Sequence, residues 1–333
     1  RERLHMAVTA NGAFKLVEVD KVEVLSLVDN SADFLSTPCR KEAQTFRQWI
    51  NKKYGQEWAK KHYKLPVAEH GFSMLVRLLR GKKSVSVLFD TGVSSYGVVE
   101  NAKRMGLDLC EVEYVVLSHG HYDHAGGLLA ALKAINKPNM PVILHEDMFK
   151  SRGSASADGS VRAYPKFPSK KRLANSKIVE TKKPNLIAEG TVLVTGEIPR
   201  QTSYEKGFLN HRVFADGSWQ PDPCIWDDRA IVMQVKRKGL VVLSGCAHSG
   251  IINTVSYAMH LTGVSDVYAI IGGFHLAGAE FESRIQQTVE DLKKMAPKLI
   301  VPSHCAGWRA ACTIADALKD AFAWNSVGNL YTL

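Results

Sequence analysis

Four side chains that can bind a metal ion lie within six residues of this chain, in the run His119-Gly120-His121-Tyr122-Asp123-His124. The run follows residues 114–118, a short apolar segment typical of a buried strand. Alternate side chains of an extended segment point the same way, so His119 and His121 can share one metal. Asp123 and His124 follow where the chain turns and can reach a second one. Imidazoles with one carboxylate suit zinc, and iron or manganese could also bind.

This HxHxDH spacing resembles the signature of the metallo-β-lactamase superfamily, and further motifs follow in the same order. Asp90, in Phe89-Asp90-Thr91-Gly92, resembles the first motif, whose carboxylate supports a metal ligand. The segment Gly245-Cys246-Ala247-His248 resembles the late motif, with Cys246 where that family usually has a bridging aspartate. His304 resembles the final histidine ligand. The resemblance implies a zinc site with His119, His121, Asp123, His124, His248 and His304 as ligands.

Longer segments resemble one branch of that superfamily, the metal-dependent hydrolases grouped with ribofuranosylaminobenzene 5′-phosphate synthase and with methanopterin biosynthesis. Among them are Leu27-Val28-Asp29-Asn30, Glu69-His70-Gly71-Phe72-Ser73, Thr195-Gly196-Glu197-Ile198-Pro199-Arg200 and Gly272-Gly273-Phe274-His275-Leu276. The resemblance runs from about residue 22 to the C-terminus and breaks at residues 35–66 and around Ser151. It implies the fold more firmly than the substrate.

Two departures from the family pattern leave alternatives open. No histidine stands near residues 195–197, where the third motif should fall, so Glu197 could replace it or the site could lack that ligand, which favours one firmly held ion over two. Cys246 and His248 compete for the late position. We expect His248 to be the ligand, because a neutral imidazole suits a hydrolytic zinc site, with Cys246 able to bridge as a thiolate. His275 is a candidate ligand, acid or substrate contact, or a structural histidine.

Other histidines stand alone, outside any ligand motif, and we assign them no role in the site. They are His5, His62, His145, His211 and His260.

A zinc ion in this run would lower the pKa of a water molecule from about 15.7 to about 7 and make it nucleophilic. We therefore predict a zinc-dependent hydrolase of a small molecule such as a phosphoester, lactone, amide or activated halide. Asp123 would orient the nucleophile, and His275 would give a proton to the leaving group. The number of metal ions, one or two, stays open.

The same residues admit three alternative functions. The first is hydrolytic dehalogenation of an electron-poor aromatic ring, for which four tryptophans could form a stacking pocket or simply pack in the core: Trp49, Trp58, Trp219 and Trp226. The second is an RNA-processing nuclease, which the basic charge permits although no added RNA-binding domain is recognisable. The third is a non-catalytic metal-binding protein, against which the intact HxHxDH run argues.

Strand and helix patterns surround these motifs in both halves of the chain. Predicted strands cover residues 22–28, 72–79, 84–89, 114–118, 142–145, 191–195, 230–235, 240–244, 267–271 and 299–302, and predicted helices cover residues 98–105, 126–135, 251–261, 282–295 and 313–323. Within each half strands cluster first and helices follow, which indicates an αββα sandwich, two mixed sheets packed face to face with helices outside. We expect one domain over residues 1–333.

Two segments interrupt the pattern. Residues 35–66 read as a helical insertion with Phe46, Trp49, Ile50, Tyr54 and Trp58 at helical spacing. This insertion could pack on the core or at an oligomer interface, or serve as a lid over the substrate. Residues 151–160 are small and polar and predict a mobile surface loop.

Composition restricts the partners. The formal charge of +10 favours anionic partners, and Arg162, Lys166, Lys170 and Arg172 could form a cationic approach or a solvated loop. No apolar run approaches the ~20 residues of a membrane helix. We expect a small-molecule substrate, either anionic or aromatic, and neither a membrane nor a nucleic-acid partner. The sequence leaves open whether the protein forms a homo-oligomer.

Six scattered cysteines without a CxxC pair predict free thiols. A cytoplasmic location is favoured, and a periplasmic location stays open if a signal peptide preceded Arg1.

Overall fold

The regular elements follow the apolar periodicity of the sequence. The computed structural model describes residues 13–333, so His5 lies outside the described part. Within that range the first strands are β1 (Lys21–Val28), β2 (Ala43–Gln44), β3 (Ser73–Arg80), β4 (Lys83–Phe89), β5 (Tyr114–Val116), β6 (Met140–Leu144), β7 (Arg152–Ala155), β8 (Val161–Ala163) and β9 (Ser176–Glu180). The later strands are β10 (Asn185–Ile187), β11 (Val192–Val194), β12 (His211–Ala215), β13 (Ser218–Pro221), β14 (Ala230–Val235), β15 (Gly239–Ser244), β16 (Val267–Gly273), β17 (Leu299–Ser303) and β18 (Leu330–Thr332). The helices are α1 (Phe46–Tyr54), α2 (Gln56–His62), α3 (Gly97–Arg104), α4 (Tyr122–Ala125), α5 (Leu128–Ile135), α6 (Ile251–Thr262), α7 (Ala279–Glu282), α8 (Ile285–Met295) and α9 (Gly307–Ala317).

Two mixed sheets enclose the central core. The first has the order β2-β18-β1-β3-β4-β5-β6-β9 and the second the order β10-β11-β14-β15-β16-β17. Alternate side chains from both inner faces, among them Val24, Val76, Met233 and Leu243, form one fully buried cluster. The predicted sandwich of two mixed sheets is therefore confirmed.

Helices cover both outer faces, as the predicted αββα architecture requires. Trp49 of α1, Val98 of α3 and Leu128 of α5 pack on the first sheet. Val255 of α6 and Leu292 of α8, with residues of α9, pack on the second. Within residues 13–333 no helix has the length and apolar character needed to cross a membrane.

The carboxyl ends of the central strands meet at one edge of the sandwich. Strands β4 and β5 run parallel, and so do β15, β16 and β17. The loops that leave these strands carry every residue of the predicted metal site except Glu197, which follows β11. Parallel pairing therefore gathers side chains that lie far apart in sequence.

The insertion at residues 35–66 packs on the core. Its aromatic pattern spans two helices, because Gly55 takes a positive φ of 83° and ends α1 before α2 begins. Phe46 and Ile50 are fully buried against the first sheet, and the Trp49 Nε1 donates a hydrogen bond of 2.7 Å to the Gly328 carbonyl. The insertion is therefore helical in two separate pieces, and its aromatic face packs on the core.

Two predicted helices have different bounds. The helix expected over residues 282–295 is divided into α7 and α8. The helix expected over residues 313–323 begins earlier and ends at Ala317. Beyond it, Ala323 N–H donates to the Ile300 carbonyl and Ile300 N–H donates to the Ala321 carbonyl, so this stretch pairs with β17 instead of continuing the helix. Pairing with a sheet edge, which local periodicity does not reveal, decided the conformation.

Of residues 151–160, predicted as a mobile loop, residues 152–155 instead form a strand of a third sheet, and residues 156–160 form the turn that follows it. Strands β7 and β8 form a hairpin, and β7 pairs with β12 in the order β13-β12-β7-β8. Arg152 of β7 is buried and makes two hydrogen bonds of 2.6 Å to the carboxylate of Asp227, which accepts the Gly120 N–H at 2.8 Å. Although burial opposes ionisation, Arg152 holds the pKa of Asp227 well below its usual range. The third sheet is thereby tied to the HxHxDH run.

A second buried carboxylate, that of Glu205, caps the first turn of α6, the helix that follows the Cys246–His248 motif. Glu205 accepts hydrogen bonds from Ile252 N at 3.0 Å and Asn253 N at 2.8 Å, which the first turn of a helix leaves without partners. Burial raises the pKa of Glu205 to about 7 although these hydrogen bonds favour the carboxylate.

We predict that Arg152→Leu lowers the free energy of unfolding by about 3–5 kcal/mol, because it leaves the Asp227 carboxylate buried without a counter-charge. Chemical denaturation measures this, with Arg162→Leu, an exposed residue of the same hairpin, as the control. Combining Arg152→Leu with Asp227→Asn should recover part of the loss. Equal stability of the two arginine variants would contradict the assignment.

The raised pKa of Glu205 predicts a pH-dependent stability. Its folded pKa of about 7 lies above the ordinary 4.5, so the folded state binds the proton more tightly than the unfolded state. Proton binding by Glu205 therefore adds about 3 kcal/mol to the free energy of unfolding below pH 4.5, and this addition is lost as pH rises towards 7. In Glu205→Gln, which does not titrate, the loss should be absent.

Urea unfolding of wild type and Glu205→Gln at several pH values between 5 and 8 tests this. The difference in free energy of unfolding between wild type and Glu205→Gln should shrink as pH rises. Glu290→Gln, at an exposed helix position, is the control and should give a constant difference. A constant difference for Glu205→Gln as well would refute the prediction.

Candidate metal centre

Three histidine rings converge at the first ligand set, His119, His121 and His248. His248 Nε2 lies 3.2 Å from His119 Nε2 and 3.2 Å from His121 Nδ1. Two nitrogens that share a tetrahedral zinc at about 2.0–2.1 Å are themselves about 3.3 Å apart. Burial and the neighbouring histidines lower the pKa of all three rings well below the ordinary value, so they are neutral and present lone pairs. The set therefore fits a zinc ion.

The second set consists of Asp123, His124 and His304, whose ligand atoms all lie within 4.8 Å of one another. His304 Nε2 is 3.3 Å from Asp123 Oδ2, and this nitrogen is buried without a hydrogen-bond partner. A buried polar atom without a partner is costly, and a metal ion would satisfy it. This set therefore also fits a cation.

The electrostatics of the second set differ from those of the first. Burial works against charge, but the carboxylates of Asp90 and Asp123 raise the pKa of His124 to about 9. Burial likewise opposes ionisation of Asp123, yet His124 and His304 hold the pKa of its carboxyl well below the usual range. Without a metal ion, a proton on His124 supplies the positive charge that this group of residues needs.

Hydrogen bonds on the outer side of the rings orient three of the ligands. Asp90, which is fully buried, accepts from His124 Nδ1 at 2.7 Å and from Ser118 Oγ at 2.6 Å. Because the Ser118 hydroxyl donates to Asp90, its oxygen accepts from His119 Nδ1 at 2.8 Å. Asn30 Oδ1 accepts from His304 Nδ1 at 2.8 Å. Each contact puts the proton on Nδ1 and leaves Nε2 free for a metal.

Cys246 lies between the two sets. Its Sγ is 3.1 Å from His124 Nε2, and it forms potential ligand groups with His119 and His124, with His248 and His275, and with His304 and Cys305. Burial and the nearby Cys305 raise the pKa of its thiol well above the ordinary value, so a cation is needed to hold it as a thiolate. His248 and Cys246 therefore do not exclude each other. All six cysteines are free thiols, as predicted.

His275 stands at the edge of the first set. Its ring centroid is 4.1 Å from that of His248, and its Nδ1 is buried without a hydrogen-bond partner. Phe281 packs against its other side with ring centroids 4.4 Å apart. The position admits a ligand or a proton donor.

Glu197 and the tryptophans lie elsewhere. Glu197 contacts His145 Nε2 at 3.2 Å and belongs to none of the potential ligand groups within residues 13–333, whereas His248 lies beside His119 and His121. The four tryptophans do not share a pocket. Trp49 packs on Phe46, Trp58 on Tyr54, Trp219 on Phe214 and Trp226 under Arg200.

The structure adds two histidines that sequence reasoning left out of the site. His70, with 63% of its side chain exposed, lies 3.5 Å from Asp123 Oδ2. His211, to which we assigned no role, is fully buried with its Nε2 3.0 Å from His121 Nε2. The segment Glu69-His70-Gly71 contained a signal for His70, whereas nothing around His211 resembles a ligand motif.

Four non-glycine residues of the ligand loops have a positive φ. They are Asp90 (59°), Ala247 (55°), His275 (44°) and His304 (47°). Such conformations disfavour side chains other than glycine and persist where surrounding contacts impose them. They turn the chain sharply at the strand ends, where the ligands must face inward.

Comparisons with known proteins agree with this geometry. The model of the metallo-beta-lactamase superfamily matches residues 67–255. The 7,8-dihydropterin-6-methyl-4-(beta-D-ribofuranosyl)-aminobenzene-5′-phosphate synthase of Methanocaldococcus jannaschii is 30% identical over 268 residues, covering 77% of this chain and 87% of the relative. An uncharacterized protein of the same organism is also 30% identical, over 272 residues that cover 80% of this chain and 95% of that protein.

A solved structure supports the fold. The crystal structure of Tm1679, a metal-dependent hydrolase of the beta-lactamase superfamily, aligns with a TM-score of 0.67 at 23% identity and covers 94% of this chain and 98% of that one. With two buried ligand sets in the HxHxDH arrangement, the chain belongs to the metallo-beta-lactamase superfamily of metal-dependent enzymes.

Proposed function

We propose that this protein is a hydrolase that uses two metal ions, zinc by preference, to direct water at a small-molecule substrate. The observation that carries the proposal is the pair of ligand sets, His119/His121/His248 and Asp123/His124/His304, with Cys246 between them. Imidazoles and a thiol favour zinc or iron over manganese, which prefers oxygen ligands. The missing third-motif histidine does not argue for one ion, since His248 takes that place.

In this proposal the metal ions and two neighbouring residues have separate roles. When bound, the metal pair lowers the pKa of water to about 7 and offsets negative charge that develops on the substrate. Asp123, with 13% of its side chain exposed, can accept a hydrogen bond from the attacking water and orient it. His275, beside His248, can give a proton to the leaving group.

A cavity of about 630 Å³ beside the metal loop supports a small anionic substrate. It is lined by Gly120 and Tyr122 of the HxHxDH run and by Lys166, Phe167 and Arg172. Neither Lys166 nor Arg172 makes an ion pair within residues 13–333, whereas Lys170 is paired with Glu180. A cavity of this size suits a small molecule better than a nucleic acid.

A synthase is the second candidate, because a relative bearing that name is 30% identical over 87% of its length. Its name describes a compound that joins a dihydropterin to a ribofuranosyl aminobenzene 5′-phosphate. The phosphate of such a substrate would suit Lys166 and Arg172. Assays of hydrolysis and of the joining reaction with the same purified protein separate the two candidates.

We expect wild-type protein to bind two metal ions per chain and to lose turnover when they are removed. His121→Ala should abolish turnover and remove the ion of the first set. His304→Ala should remove the ion of the second set. Elemental analysis measures the ions, and a panel of chromogenic phosphoesters, lactones and amides measures hydrolysis. His260→Ala, at an exposed helix position, is the control. Full activity with unchanged metal content in His121→Ala would refute the scheme.

We also predict that Lys166→Ala combined with Arg172→Ala raises KM for anionic substrates at least about tenfold, since even one hydrogen bond to a charged group contributes about 1.5–3 kcal/mol and about 1.4 kcal/mol is a factor of ten. Both kcat and metal content should stay close to wild type. Lys170→Ala, whose side chain is already paired with Glu180, is the matched control. An equal rise in KM for neutral substrates would argue against recognition of the anion.

A further inference from the structure

His121 faces its ligand set differently from the other two histidines. His119 and His248 present Nε2 to the set, whereas His121 presents Nδ1. The Nε2 of His121 therefore points away from the set, towards His211 Nε2 at 3.0 Å. A metal bound at Nδ1 requires the proton of this neutral ring to lie on Nε2, and that proton needs an acceptor.

The surroundings of His211 make it that acceptor. Its Nδ1 lies 2.9 Å from the carbonyl oxygen of Asp222, which can only accept a hydrogen bond. Nδ1 must therefore carry a hydrogen, so Nε2 is the nitrogen whose lone pair can face His121. His121 Nε2–H can donate to that lone pair, which leaves His121 Nδ1 free for the metal.

His211 is held firmly in this position. It is fully buried on β12, with the rings of Tyr164 and Phe208 each 6.0 Å away between centroids. Strand β12 pairs with β7, whose Arg152 is bonded to Asp227, and Asp227 accepts the Gly120 N–H beside His121. The third sheet therefore contacts the HxHxDH run directly through His211 and is linked to it a second time through Asp227.

Resting on the proposed metal centre, we propose that His211 is a positioning residue that holds His121 in its Nε2–H tautomer, so that Nδ1 binds the metal of the first set. The third sheet carries this residue and is part of the metal centre. Asp90 with Ser118, and Asn30, play the same part for His119, His124 and His304.

The direct test reads the tautomer of His121 in wild-type, metal-free protein labelled with ¹⁵N-histidine. Two-bond ¹⁵N–¹H couplings distinguish Nε2–H from Nδ1–H, and His121→Gln identifies the signals. We expect Nε2–H. Nδ1–H at His121 would overturn the proposal without need of any variant at His211, and independently of whether the protein hydrolyses anything.

Variants at His211 test the consequence for metal binding. His211→Gln keeps an acceptor oxygen and should bind zinc within a few-fold of wild type. His211→Leu should give a mixture of His121 tautomers and weaken one of the two zinc ions about 10–100-fold, with the other unchanged. Competition with a chromophoric chelator measures both affinities, and circular dichroism shows that each variant is folded.

Phe214→Ala is the matched control, because Phe214 lies on the same strand and is 45% exposed against Trp219. It should leave both affinities unchanged. If His211→Leu binds both ions like wild type, or if His211→Gln is as weak as His211→Leu with the tautomer unaltered, His211 does not position His121. A wild-type protein that binds no metal would instead refute the proposed function, while the tautomer measurement would still decide the role of His211.

Discussion

The metal centre depends on the buried carboxylate of Asp90. It accepts hydrogen bonds from Ser118 N at 2.7 Å, Ser118 Oγ at 2.6 Å and His124 Nδ1 at 2.7 Å. Through Ser118 it also determines which nitrogen of His119 is protonated. One carboxylate therefore orients a ligand in each set, and a side chain at Gly245 would collide with Ser118 and Asp90. The positive φ of Asp90 is the conformational cost of placing the carboxylate there.

The balance of charge explains why such a group of residues can be buried. Neutral imidazoles form the first set, because burial depresses the pKa of each ring. The second set contains the Asp123 carboxylate, and in the absence of a metal ion the raised pKa of His124 supplies a compensating proton. Metal binding must displace that proton, so folding, protonation and metal binding are coupled at this site.

Local patterns predicted much of the sandwich. Strands with continuous apolar runs, such as β15 and β16, were predicted at almost their observed positions, because full burial on both faces leaves a strong signal. Errors arose where a distant partner decided the conformation. Residues 321–323 pair with β17. Residues 152–154 pair with β12 and bury Arg152, although the small polar side chains of residues 151–160 predict a loop.

The sequence alone indicated that the HxHxDH run binds metal, because the direction of these side chains depends only on local strand and turn geometry. The sequence also indicated Asp90, His248 and His304 through their motifs. Only the tertiary structure decided that His248, and not Glu197, lies beside His119 and His121, that Cys246 lies between both sets, and that His211 contacts His121. These contacts join residues that lie about 50–130 positions apart. Their distances are set by sheet pairing and packing, which leave no local periodic signal in the chain.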